Sequence, residues 1–211
     1  MKPLLVILSS PSGAGKTTLA DRLLAARSDI GRSVSATTRL PREGEFDGRD
    51  YYFLSRAVFA RRERAGEFLE SATYGGNRYG TLRSEVERLH ASGRHVLLVI
   101  EVAGARKVRR RIRGAVNIFL LPPSGVELIR RLGARRTEPA DVLKKRLTIA
   151  KRELSVVGEY DYVVLNDHLD SAVRDVSAII DAEVLRVARQ SDLKSRVTRL
   201  RREIAAASER R

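Results

Sequence analysis

The chain has 211 residues, 41 Lys and Arg against 26 Asp and Glu, a formal net charge of +15 and no Cys. That length suits one domain with a full core and leaves room for small inserted parts, and the missing Cys excludes disulfides and thiolate metal sites. No apolar run reaches membrane-spanning length and Met1-Lys2-Pro3 leads straight into a strand-like run without a secretory leader, so a soluble cytoplasmic protein is expected, with a charge that attracts nucleic acid or small phosphorylated molecules.

The first element is the apolar run Leu4-Leu5-Val6-Ile7-Leu8, which reads as a buried strand. It turns through Ser9-Ser10-Pro11-Ser12-Gly13-Ala14-Gly15-Lys16-Thr17-Thr18 into a helix whose face is Leu19, Ala20, Leu23 and Leu24. Strand, glycine loop and a helix opening on Lys-Thr form the context of a phosphate-binding loop. Small residues let the backbone curl until successive N–H groups point at one centre, and the helix adds the positive end of its dipole. Residues 10–18 are therefore candidates for binding ATP: Lys16 as a point charge on the β and γ phosphates, the Thr17 hydroxyl as a ligand of Mg²⁺. Ser10 stands where the pattern G-x-x-x-x-G-K-[ST] has its first glycine; it is small, and the loop is expected to tolerate it.

Ile30-Gly31-Arg32 reads as a turn into the extended segment Ser33–Arg39, followed by a Pro/Gly/Asp-rich exposed loop from Leu40 to Asp50. Tyr51–Leu54 reads as a strand, Ser55 as the cap of a helix holding Val58 and Phe59, and Glu67–Tyr74 as extended. Gly75-Gly76-Asn77 is a tight turn, and Thr81 is placed to cap a helix through Val86 and Leu89. The block from about Ser33 to Thr81 is thus short strands around one helix, read as an inserted subdomain. The strand–helix alternation then resumes: strand His95–Ile100, helix Ala103–Arg113, strand Val116–Leu121, a helix capped by Ser124, and a break at Gly133–Pro139. A further helix face follows on Val142-Leu143, Leu147, Ala150 and Leu154, then strand Tyr160–Leu165 and a long helix from Leu169. This alternation implies a parallel sheet with helices on both faces, and ligands sit at the carboxyl ends of such strands. The phosphate loop, Glu101 and Asn166-Asp167 fall there.

Phosphoryl transfer needs positioning and positive charge on the moving oxygens, which the planar fork of Arg supplies. Two sets are candidates. Arg39 and Arg42 flank the inserted loop, with Tyr51 and Tyr79 as hydroxyl donors; Arg131, Arg135 and Arg146 surround the break at Thr137-Glu138-Pro139, where a helix pair can close and exclude water. After Arg189, Leu193, Val197, Leu200 and Ile204 are spaced 4-3-4 as in a coiled-coil seam, which either docks on its own domain or pairs with a second chain.

The segments Ser12–Thr17, Val34-Ser35-Ala36-Thr37-Thr38-Arg39-Leu40-Pro41-Arg42, Gly48–Phe53, Phe68-Leu69-Glu70, Gly76-Asn77-Arg78-Tyr79-Gly80-Thr81, Leu121–Ser124 and Val164–Asp167 come in one order over about residues 4 to 188. On these the sequence resembles the guanylate kinase family. The resemblance implies an α/β fold of the P-loop NTPase type, with an inserted mixed α/β nucleotide-binding subdomain and a helical lid. Its parts would be a core at 1–32 and 82–188 with the lid at about 126–155, a GMP subdomain at 33–81, and a basic helical tail at 189–211. It implies transfer of the γ-phosphoryl of ATP to GMP with Mg²⁺. Lys16, Arg42 and the lid arginines 131, 135 and 146 would be catalytic, with Thr17 on the metal and Asn166 near the ATP base. Arg39, Arg42, Tyr51 and Tyr79 would hold the GMP phosphate, Ser35, Glu70 and Thr81 would read guanine, and Glu101 completes the GMP set. The family usually has two carboxylates at the strand end; here Val99 takes the place of the first, so metal handling would rest on Thr17, the phosphates and Glu101. Arg136 replaces a usual lid glycine. ATP and GMP are the expected partners, with a homo-oligomer through the C-terminal helix open and neither nucleic acid nor membrane expected. A kinase for another nucleotide or phosphorylated molecule, and a non-catalytic kinase-like binding module, are the alternatives.

Overall fold

A computed structural model describes residues 2–133 and 140–208. In chain order the elements are β1 (Leu5–Ser9), α1 (Lys16–Ala26), β2 (Ile30–Arg32), β3 (Ser35–Thr37), β4 (Tyr51–Phe53), α2 (Arg56–Arg64), β5 (Phe68–Tyr74), β6 (Asn77–Leu82) and α3 (Arg83–Ala91). They continue with β7 (His95–Val99), α4 (Val102–Arg111), β8 (Val116–Leu121), α5 (Gly125–Gly133), α6 (Ala140–Leu154), β9 (Tyr162–Leu165), α7 (Leu169–Leu185) and α8 (Leu193–Ser208).

Five strands form a parallel sheet in the order β2-β7-β1-β8-β9. β1 is central because alternate residues bury on opposite sides. Leu4, Val6 and Leu8 join Leu19, Ala20 and Leu23 of α1 and Ala172, Val173, Val176 and Ile180 of α7. Leu5 and Ile7 join Val86 and Leu89 of α3 and Ala105 and Val108 of α4. Helices therefore cover both faces, as nearly continuous apolar strands require. The chain leaves β1 toward β2 on one side and later builds β8 on the other, so the strand order reverses at the carboxyl end of β1, where such sheets bind ligands.

The second sheet has the order β4-β3-β6-β5, with β3/β4 parallel and β3/β6 and β5/β6 antiparallel. Its period of two separates an apolar from a polar face. Ala36, Phe68 and Leu82 pack with Phe59 of α2, and the Phe59 and Phe68 rings stack at 4.5 Å between centroids. The opposite face carries Ser35, Thr37, Tyr79 and Thr81.

Several local expectations hold: Ser55 Oγ accepts from Val58 N–H at the start of α2, and Ser124 Oγ accepts from Glu127 N–H. Others need correction. Ile30–Arg32 is an edge strand, not a turn; Gly31 is needed because a Cβ there would collide with Leu89 of α3. Thr81 does not cap α3. Leu82 precedes that helix without a side-chain cap, and the Thr81 hydroxyl is spent on Glu70. α4 ends at Arg111 because Ile112 turns extended, and β9 begins only at Tyr162 because Val157–Glu159 form a short 3-10 turn. The expected break at Thr137-Glu138-Pro139, with Arg135 and Arg136, lies outside the described residues.

No described residue of α8 is buried, and Val197, Leu200 and Ile204 stay exposed at 45%, 53% and 66%. The seam does not dock on its own domain. Among the described residues no helix is long and apolar enough to cross a membrane. Removing residues 191–211 is expected to leave the thermal midpoint within a degree or two; a clear drop in a melting curve would mean that α8 holds the core together.

Candidate active site

The phosphate loop runs from the buried end of β1 to the first turn of α1. Gly13 (φ 85°) and Gly15 (φ 95°) adopt the left-handed region, which turns their amides toward the loop's interior at no steric penalty. Gly15 caps α1 with no side-chain bond, and the first turn holds no acidic residue, so no carboxylate opposes the helix's free N–H groups as an anion site. Ser10 is fully buried and has no positive φ; its hydroxyl donates to Pro11 O at 2.8 Å. This is why glycine is dispensable there. Pro11 and Ala14 are buried, Ser12 is half-buried, and Thr17 and Thr18 are exposed at the mouth. Lys16 Nζ donates to Ser10 O at 3.1 Å and pairs with Glu101 Oε2 at 3.2 Å. Glu101 is the residue before α4 and its carboxylate caps nothing, leaving it to face the lysine.

Three more elements hold this loop. Asn166, at the end of β9 and 6% exposed, donates from Nδ2 to Ala14 O at 2.7 Å and leaves no room for a Cβ on Gly15. From α5, Leu132 packs so closely that a Cβ on Gly13 would lie 2.9 Å away. Arg131 is bound by Glu127 (2.6 Å) and reaches toward Ala14 O (3.4 Å). The paired Arg130 and Arg131 side chains hold the Glu127 carboxyl down at about 2. From α6, Arg146 donates to Ser12 Oγ at 3.1 Å. α6 also carries Glu153, only 7% exposed, against the Ser12 N–H. Burial first, and the charge of Glu101 second, push the Glu153 carboxyl up to about 7, with Lys16 opposing.

On the polar face of the second sheet the register places Tyr51, Ser35, Thr81 and Glu70 in one row across β4-β3-β6-β5, with Tyr79 opposite Thr37 on the next row. Glu70 is 3% exposed; Thr81 Oγ1 donates to its Oε1 at 2.9 Å. Burial pushes the Glu70 carboxyl up, against the pull of Thr81, Lys107 and Arg111. Tyr51 and Tyr79 meet edge to face at 6.1 Å, and Arg39 lies over the Tyr51 ring at 5.4 Å. Arg39 also donates to Glu45 Oε1 at 2.9 Å, while Glu45 Oε2 accepts the Arg42 backbone N–H at 2.7 Å. Burial opposes ionisation of Glu45, yet these bonds hold its carboxyl below the usual range. The Arg42 side chain is exposed on the same loop and makes no ion pair among the described residues. The two halves come within electrostatic reach of each other. Burial pushes the Tyr51 phenol up, and the Glu101 charge contributes to that shift. The Tyr74 hydroxyl at the end of β5 lies beside Ser12.

Sequence reasoning missed four supporting residues. Gly104 is required because a Cβ there would lie 2.6 Å from Glu70 Oε2; a glycine inside a helical pattern was its only signal. Glu45 looked like any loop charge, and Glu127 and Glu153 like polar positions on helices. Among the described residues no group of three or more His, Cys, Asp or Glu is placed to hold a metal. One threonine hydroxyl and a lone carboxylate are a hard oxygen set too small to bind an ion unaided, and they suit Mg²⁺ that arrives on phosphates. Val99, where the resemblance implied a carboxylate, is partly buried against the cluster between the sheet and α1 and α7.

An acid whose folded value is raised from 4.5 to about 7 costs stability as pH rises through that window, and the full cost applies above it. Glu153→Gln is therefore expected to stabilise the fold more at pH 8 than at pH 5 in denaturant titrations. An equal change at both pH values would show that the carboxyl is not held in the buried state.

The family model for guanylate kinase matches residues 2–183. A guanylate kinase of Nitrosospira multiformis is 47% identical over 186 residues, 88% of this chain and 89% of that protein. A guanylate kinase of Desulfitobacterium hafniense is 48% identical over 187 residues, 89% of this chain and 94% of that one. The crystal structure of guanylate kinase from Anaplasma phagocytophilum superimposes with a TM-score of 0.77 at 36% identity, covering 92% of both chains. With the phosphate loop, the acceptor row and these likenesses together, the chain belongs to the guanylate kinase family.

Proposed function

We propose that the chain transfers the γ-phosphoryl group of ATP to GMP, giving ADP and GDP. The observation that carries this reading is the row Tyr51-Ser35-Thr81-Glu70 on a sheet face turned toward the phosphate loop. Glu70 is an acceptor held by Thr81 and backed by Gly104, so it meets the N1–H and 2-amino donors of guanine. Adenine offers no such donor pair, and a buried acceptor left unpaired rejects it. Arg39, with Tyr51, Tyr79 and the nearby Arg42, receives the GMP phosphate. Arg39 is pre-positioned by Glu45 and the aromatic rings, which lowers the ordering entropy lost on binding.

On the donor side the loop amides and the α1 terminus take the β and γ phosphates, and Lys16 exchanges Glu101 for them. Mg²⁺, when bound, would supply positive charge against the phosphates, and Thr17 is the residue that would hold it. A GMP phosphate oxygen forms a bond to the γ phosphorus as the bond to the β–γ bridging oxygen breaks. The residues contribute alignment and charge: Lys16 and Arg42, with Arg131 and Arg146 from the helix pair α5 and α6, which acts as the lid and excludes water. Arg135 is assigned to the same set by its place in the sequence. Asn166 holds the loop near the ATP base, and residues 33–81 form the acceptor-binding subdomain. The same reading places the enzyme in the cytoplasm. It adds a second copy of the chain, pairing along the α8 seam, as a partner beyond the nucleotides. A mass that falls to the monomer when residues 191–211 are removed supports that pairing; an unchanged mass ends it.

Glu70→Gln keeps the shape but turns an N–H₂ toward guanine's own donors. In a coupled ADP-release assay with GMP, AMP and CMP, we expect kcat/KM for GMP to fall by about 10²-fold or more while the AMP and CMP rates stay at background. Unchanged GMP turnover would remove Glu70 as the guanine reader. Absence of turnover by the wild-type chain with any of the three would favour the binding-module reading.

A further inference from the structure

Among the described residues, the buried polar atoms without a hydrogen-bond partner include the Tyr74 hydroxyl and Glu153 Oε2, both beside the phosphate loop. They come from different parts of the molecule. Tyr74 ends β5 of the acceptor sheet, and Glu153 lies in the last turn of α6. Both converge on Ser12. The Ser12 N–H faces the Glu153 carboxyl, the Ser12 hydroxyl accepts Arg146 Nη2 at 3.1 Å, and the Tyr74 hydroxyl is packed against the same serine without closing a bond. Acceptor sheet, phosphate loop and α6 therefore meet at one loop residue.

A buried donor or acceptor left unmade is costly, and native proteins keep such groups where function requires them. Ser12 offers one hydroxyl hydrogen and two lone pairs. With Arg146 already on one lone pair, it has the capacity to close one bond with Tyr74. The Glu153 carboxyl lies against the Ser12 N–H and has Oε2 to spare. We infer that Tyr74 and Glu153 are a positioning pair for phosphoryl transfer, which ties the acceptor sheet and α6 to the phosphate loop through Ser12 and completes its hydrogen bonds in the reacting complex. Neither residue touches the transferred group. Their action is to fix the loop relative to the GMP phosphate, where a misplacement of an ångström is expensive in rate. The inference rests on the phosphoryl-transfer reading above.

A pair that completes its bonds only in the reacting complex contributes to kcat and little to ground-state binding. The test is steady-state ADP release with ATP and GMP, and thermal unfolding, on the full chain and on Tyr74→Phe, Glu153→Ala and Glu153→Gln. Tyr74→Phe and Glu153→Ala should each lower kcat by about 3- to 10-fold, with KM for either nucleotide changed less than twofold. Tyr74→Phe should not lower the melting temperature, since its hydroxyl makes no bond to lose. Glu153→Gln should recover most of the Glu153→Ala loss, because an amide oxygen still accepts the Ser12 N–H. Unchanged kcat in Tyr74→Phe, a kcat loss matched by a fall in its melting temperature, a KM effect alone, or no recovery by Gln each overturns the inference. If the wild-type chain itself fails to turn over GMP, the phosphoryl-transfer reading has failed instead.

Discussion

A triphosphate brings about four negative charges to one point, and the protein meets them chiefly with backbone. The left-handed turns at Gly13 and Gly15 aim amide hydrogens inward, and α1 starts there with no acidic residue to oppose its dipole. This curl is possible only because its surroundings are rigid. Asn166 grips the Ala14 carbonyl, Leu132 fills the space over Gly13, and β1 beneath it is buried on both faces. The Lys16–Glu101 pair and the bond to Ser10 O hold the lysine charge at the loop. The rest of the fold serves to bring a second nucleotide to this point.

In the proposed reading that second task falls to a small sheet with two unlike faces. The apolar face rests on Phe59; the polar face gathers Tyr51, Ser35, Thr81 and Glu70 into one row. In the proposed reading Glu70 carries the selectivity because it is buried. A carboxylate in water would discriminate weakly between bases, whereas one with Thr81 on one oxygen and the α4 backbone at Gly104 against the other leaves a wrong base no alternative. Much of the chain's positive charge is local support: Arg39 is held by Glu45, and Arg131 by Glu127.

What the sequence showed and what it hid follow the range of the interactions. The phosphate loop was legible because strand, glycines, lysine and helix lie within twenty residues. The helix caps at Ser55 and Ser124 were legible for the same reason. Ile30–Arg32 was misread because three residues carry no usable period, and their strand character comes from pairing with β7. Thr81 was misread as a cap because capping is a local rule, while its partner Glu70 lies across a strand pair. Glu153 and Tyr74 gave no signal at all: each is an ordinary residue on its own element, and only the packing of three elements around Ser12 makes them notable. The family resemblance pointed to candidate site residues but not to Glu45, Glu127 or Gly104 beside them.

The central claim is that guanine on Glu70 and triphosphate on the Lys16 loop face one another within a single cavity. The most direct measurement is a crystal structure with adenosine and guanosine joined through five phosphates. The account predicts guanine N1–H and its 2-amino group on Glu70, Arg39 and Arg42 on the guanosine-side phosphates, and the adenosine-side phosphates on the amides around Lys16. A guanine bound away from Glu70, or guanidinium groups of Arg39 and Arg42 remote from every phosphate, would contradict it.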